Sequence, residues 1–199
     1  METNGVDTDR VEAEARRVLE SVPGYVWDGE SLPVPVDSIV ENVFGLLIRL
    51  VEDLSTAPGC EGIPPENLSG LLLTSSGEIW VNAEEARRWE GRRRFTIGHE
   101  LGHHVMHRAT RTRVFCRPVE VVSDEAPEQL AGARSVGGEQ PLPELEANAF
   151  AAALMMPRHL MVGQCGRHGG DVDTLRAAFG SSEKAMKYRL DAMKSWPKP

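Results

Sequence analysis

Residues 92–107 read RRRFTIGHELGHHVMH and hold four of the chain's six histidines. His99-Glu100-x-x-His103 spaces two imidazoles four residues apart. On a helix this places both on one face, about one turn apart. Two ring nitrogens can then reach one zinc ion at about 2.0–2.1 Å. Glu100 is left to take the proton of a water whose pKa the metal lowers toward about 7. The chemistry would be metal-assisted hydrolysis. The plain alternative is a surface helix with solvated histidines. Against it, Gly98, Leu101, Gly102 and Val105 form an apolar stripe at helical spacing. Each interior glycine costs about 1 kcal/mol relative to alanine, which close approach of a neighbouring helix would offset. His103 and His107 form an alternative pair, also four apart, and His104 points off the motif face. Both extra histidines are read as surface groups or as supports for a ligand rather than as ligands.

A hydrolytic zinc site usually has three protein ligands and one open position. The segment PELEANAFAAALMMP offers Glu144 and Glu146. In helical projection Ala147, Phe150, Ala151, Leu154 and Met155 make one apolar face. Glu144 and Asn148 lie one turn apart on its inward border, whereas Glu146 projects toward solvent. Ala147 and Ala151 also suit the glycine stripe, since small residues let two backbones approach. Glu144 is therefore the expected third ligand. Asn148 would accept a hydrogen bond from a ligand imidazole and set its tautomer. The bland reading of Glu144 is an acidic residue favoured by the helix dipole at the N-terminus.

Taken together, RRRFTIGHELGHHVMH and ELEANAFAAALMMP resemble the ImmA/IrrE family of zinc metallopeptidases. VDSIVENVFGLLIRL, GEIWVN and LRAAFGSSEKAMKYRL extend the likeness over about residues 33–194. The resemblance implies that His99, His103 and Glu144 bind zinc and that Glu100 is catalytic. The E-x-x-A-N run also resembles the E-x-x-x-D pattern of thermolysin-type enzymes, in which the last residue supports a histidine. The implied fold is α+β, a thermolysin-like zincin core with a small sheet packed on the active-site helices, followed by a small C-terminal helical region. The implied function is cleavage of a helix-turn-helix repressor that derepresses stress or mobile-element genes. The chain shows no helix-turn-helix domain of its own at the N-terminus, so the repressor would be a separate protein, encoded nearby. The stretch between His103 and Glu144 is longer than is usual in the family.

Other elements must position these residues. DTDRVEAEARRVLESV reads as a helix in a loosely attached lead-in, residues 1–32. Asp37 should cap a short helix that Gly45 stops. LLIRLVED reads as a strand, and LSGLLLTSSGEIWVNAEE as a hairpin. EIWVN is a plausible sheet edge on which an extended substrate could add, or an ordinary core strand, and the two readings are not exclusive. A helix from about Glu84 should break near Gly91 before the histidine segment. Residues 110–141 form a long loop insertion with one candidate strand at VEVV; they could gate the cleft or be untethered. These parts make a peptidase domain over residues 33–160 and a helical region over 161–199. The latter carries helices at RHLMVGQC, DVDTLRAAF and SEKAMKYRLDAM, the last with Ser181 or Ser182 at its N-cap.

The composition narrows the function classes. A net charge of -8 and a pI near 5.3 do not suit a nucleic-acid binder. All four lysines (Lys184, Lys187, Lys194, Lys198) lie in the last helix and tail, which leaves a small basic end as the one candidate for DNA contact. Cys60, Cys116 and Cys165 include no C-x-x-C, which points to a reducing compartment. The polar start, METNGVDTDRVEAEARR, has no apolar leader, and the longest apolar run is far too short to span a bilayer. A cytoplasmic protein without membrane contact is expected. The alternative function is a non-catalytic zinc-binding regulator, or one half of a toxin–antitoxin-like pair. A purely structural site has no need of a base at Glu100 and favours four closed ligands. Manganese or iron(II) also suits two histidines and a carboxylate.

Overall fold

The computed structural model describes residues 5–58, 60, 63, 64, 68–107, 115–118 and 141–194. A sheet lies at its centre. Strand β1 (Leu47–Val51) runs parallel to β3 (Glu78–Asn82), which pairs antiparallel with β2 (Leu68–Leu73). Strand β4 (Phe115–Pro118) adds antiparallel to β2, giving the order β1-β3-β2-β4. EIWVN is therefore an interior strand, which agrees with the core-strand reading and rules out the sheet-edge one. The preceding segment LIRLV pairs with the side of β3 that the hairpin leaves open. The hairpin itself forms as read, with Gly77 taking the positive φ of 68° its turn requires. The strand anticipated at VEVV lies outside the described residues.

Helix α3 (Ala83–Arg88) starts on Asn82, whose side chain accepts from Glu85 N–H. The break falls at Trp89, not Gly91, and α4 (Glu90–Met106) then runs unbroken through the histidine motif. It packs across β2 and β3, touches β4, and lies against α5 (Leu142–Met155). The space between sheet and helices is filled by Leu72, Ile79, Val81, Ile97, Leu101, Phe150 and Leu154, all buried. Leu68 and Leu71 face the other way, under Leu54, Ala57 and Cys60 beside a short 3₁₀ turn at Leu54–Thr56.

Helix α1 (Thr8–Glu20) is packed rather than loosely attached. Val11, Ala15, Val18 and Leu19 are buried in the same core, and α1 lies along α5. Helix α2 (Val36–Phe44) ends on Gly45 at a φ of 65° as expected, but Asp37 does not cap it. Asp37 sits one residue inside the helix and pairs with Arg93 of α4. After α5 come α6 (Arg158–His168), α7 (Val172–Phe179) and α8 (Glu183–Met193), the last capped by Ser182. Buried Arg189 of α8 donates to the Met156 carbonyl at 2.9 Å and pairs with Glu12 of α1, tying both ends of the chain to the end of α5. Among the described residues no helix is long and apolar enough to cross a membrane.

The α4–α5 contact depends on small residues, as the glycine stripe implied. A Cβ on Gly98 would meet the Ala151 Cβ at 3.4 Å, an ordinary contact. One on Gly102 would sit 3.1 Å from the Ala147 Cα and 3.2 Å from its carbonyl oxygen, both backbone atoms that cannot swing away. Gly98→Ala should therefore be neutral or stabilising, because alanine gains about 1 kcal/mol of helix propensity. Gly102→Ala should be destabilising, because overpacking of about 1–3 kcal/mol exceeds that gain. Thermal melting of the two variants checks the contrast; equal shifts would contradict the close approach.

Candidate metal centre

The N-terminal turn of α5 brings Glu144 over the histidine face of α4. Pro143 suits the first turn, where its missing N–H costs no helical bond, and a carboxylate is favoured there by the helix dipole. Glu144 Oε2 lies 3.2 Å from His99 Nε2, and Oε1 lies 3.2 Å from His103 Nε2. The two Nε2 atoms are 3.0 Å apart. One ligand atom from each of these three residues falls within 4.8 Å of the others. Both imidazoles are buried, whereas the Glu144 side chain keeps about 20% of its surface exposed, so the cluster opens to solvent on the carboxylate side. Burial pushes the Glu144 carboxyl up, but the hydrogen bonds and positive charge of His103 and His99 outweigh it and hold the group at about 2.

The donor set fits a divalent ion. Two imidazoles and one carboxylate converge with ring nitrogens and carboxylate oxygens, and among the described residues no fourth protein donor joins the cluster. His99 Nδ1 lies 2.9 Å from Asn148 Oδ1. Nδ1–H therefore donates to the amide oxygen and leaves Nε2 as the lone-pair atom. The pairing of Glu144 with the inward border and of Asn148 with His99 matches the helical projection.

Glu100 is fully buried. It is accommodated by a feature the sequence reading did not single out. Gly70, in the middle of β2, faces α4: a Cβ there would lie 2.3 Å from Thr96 Cγ2 and 3.2 Å from Glu100 Oε1. The pairing of β2 with β4 shifts register between Leu68 and Gly70, beside this close approach. Ser69 accepts from Arg92 of α4 at 3.1 Å. The readable signal was a glycine inside a strand pattern, which often marks a close approach. Gly70→Ala should destabilise the fold by about 1–3 kcal/mol, because the β-branched Thr96 has little rotamer freedom in a helix. A denaturant titration measures this, and an unchanged midpoint would refute the tight fit.

Glu146 requires a correction. It does not project to solvent but is buried, with Oε2 2.9 Å from His107 Nε2 and Oε1 3.5 Å from Arg10 of α1. The projection assumed a single buried face, yet α5 is covered by α4 on one side and α1 on another. His107 in turn reaches His103, Nδ1 to Nδ1, at 3.2 Å. His104 stays out of the cluster and packs edge-on to Phe44, ring centroids 5.8 Å apart.

A sheet backed by two helices that bring three metal-type donors together, with a buried glutamate next in sequence to one of them, has the make-up of a metallohydrolase-like centre. Residues 61–191 match the model of peptidase family M78, the IrrE N-terminal-like domain, and the chain belongs to that family. Membership supports a zinc metallopeptidase-type function. A search among curated proteins found no significant match.

Proposed function

We propose that this chain is a zinc-dependent endopeptidase, with His99, His103 and Glu144 as metal ligands, Glu100 as general base and Asn148 as the support of His99. The observation that carries this reading is the convergence of three donors within 4.8 Å, with Glu100 buried next in sequence to the first of them. Zinc held by His99, His103 and Glu144 would supply Lewis-acid polarisation of the scissile carbonyl and activation of the attacking water. Glu100 takes the proton from that water and delivers it to the leaving amine. Asn148 keeps His99 in the tautomer that presents Nε2. The open side at Glu144 admits the peptide. Among the described strands β4 ends the sheet on the side of β2, where Gly70 meets Glu100, and an extended substrate would add there rather than on β3.

As substrate we propose a helix-turn-helix repressor encoded by a nearby gene, whose cleavage derepresses stress or mobile-element genes. This part rests on the resemblance to the ImmA/IrrE family. The test is incubation of the purified, zinc-loaded protein with such a repressor. Two fragments should appear, a chelator should abolish them, and added zinc should restore them. Tight binding without cutting would favour the non-catalytic regulator instead.

A further inference from the structure

We propose that His107 and Glu146 are positioning residues: together they hold the metal ligand His103 in its binding tautomer and orientation, through a carboxylate–imidazole–imidazole relay. The inference rests on the metal-site reading above and extends it outward to α1.

Three histidines, at positions 99, 103 and 107, stack along one face of α4. The ring centroids of His99 and His103 are 4.7 Å apart, and those of His103 and His107 are 5.3 Å apart. Only the first two present Nε2 to Glu144. A neutral imidazole that offers Nε2 as a lone pair carries its proton on Nδ1. For His103 that Nδ1–H points at His107 Nδ1, 3.2 Å away, which must then be the acceptor. With Nδ1 accepting, His107 is protonated at Nε2, and this atom lies 2.9 Å from Glu146 Oε2. A single assignment of protons thus satisfies both bonds, and it ends on a carboxylate that can only accept. The partner of His99 is the Asn148 amide. Each ligand imidazole therefore has its own outer support, and that of His103 is the anionic one.

The relay also accounts for a buried acid. Glu146 is only 6% exposed, and a carboxylate so placed requires partners. Among the described residues it pairs with His107 and Arg10. Arg10 is half exposed and sits at 3.5 Å, so it contributes little, and His107 bears most of the orienting role. Arg10 nevertheless brings α1 into the arrangement, and α1 lies outside the residues that match the family model.

Zinc affinity of the full-length chain, measured by competition with a chromogenic chelator, tests the relay. Melting of the metal-free form serves as the control for folding. His107→Phe keeps the ring volume but loses both bonds, and should weaken zinc binding about 10–100-fold. Glu146→Gln should weaken it in the same direction by a smaller factor. His107→Gln should restore affinity to within roughly threefold, because its amide can accept from His103 and donate to Glu146. Arg10→Ala should change affinity by about twofold or less. If His107→Phe proves unstable without metal, the pair Glu146→Gln and His107→Gln decides. Wild-type affinity in His107→Phe or Glu146→Gln, alongside lost binding in His99→Ala, would overturn the relay and leave the metal site standing. Absence of zinc binding by the wild type would overturn the site, and the relay with it.

Discussion

Glu100→Gln should lower turnover by about 10²–10⁴-fold while zinc content stays at the wild-type level. The two outcomes separate because the residue's two relations differ. Glu100 is not one of the three converging donors, so the ligands remain intact. Glutamine has nearly the same shape and fits the space bounded by Gly70, where the carboxylate oxygen already lies 3.2 Å from where a Cβ would stand. What changes is chemical: an amide cannot take a proton from water at neutral pH. A rate measured on the repressor or on a generic peptide, with metal analysis on the same sample, checks both halves. A variant that cuts as fast as the wild type would remove Glu100 from the mechanism, whatever the metal content. A variant that loses its metal would mean that Glu100 supports the site rather than acting in the reaction.

The second large effect is loss of the ion in Glu144→Ala. Glu144 lies 3.2 Å from the imidazoles of both His99 and His103 and brings a negative charge to the three-donor cluster. Its carboxyl, held at about 2, is ionised at any working pH. Deleting it should cost more than the 10–100-fold that loss of an outer support costs. Dialysed protein should then contain no stoichiometric zinc. A second readout follows from linkage. An ion present at 100 times its Kd stabilises the fold by about 2.7 kcal/mol, or roughly 5–10 °C for a chain of this size. Zinc should raise the melting temperature of the wild type by this order and leave that of Glu144→Ala unmoved. Glu146→Ala should still bind zinc at saturation, more weakly. If Glu144→Ala kept its zinc and Glu146→Ala lost it, the ligand assignment would be reversed.

The contrast between these two glutamates shows how far a sequence can be read. Their separation by two residues places them on different sides of a helix, and the projection was right that Glu144 faces the histidines. It was wrong about Glu146, because a projection knows one apolar face and cannot count the neighbours. Helix α1, more than 120 residues earlier in the chain, covers the flank on which Glu146 sits. The same limit explains EIWVN. Strand character follows from local pattern, but edge or interior depends on which distant segment pairs with it, and here that segment is Leu47–Val51. The capping role given to Asp37 failed for a similar reason, since an ion pair with Arg93, 56 residues away, competes for its carboxylate.

Periodicity and residue type alone determined the helical face bearing His99 and His103, the glycine stripe that lets α5 approach, and the direction in which Glu144 and Asn148 face. All of these are properties of one helix or of two small surfaces that must meet. Tertiary structure alone decided that Gly70 makes room for Glu100, that β3 is interior, and that His107 and Glu146 stand behind His103. Those contacts join segments far apart in the chain, and no local spacing encodes which surfaces burial will bring face to face.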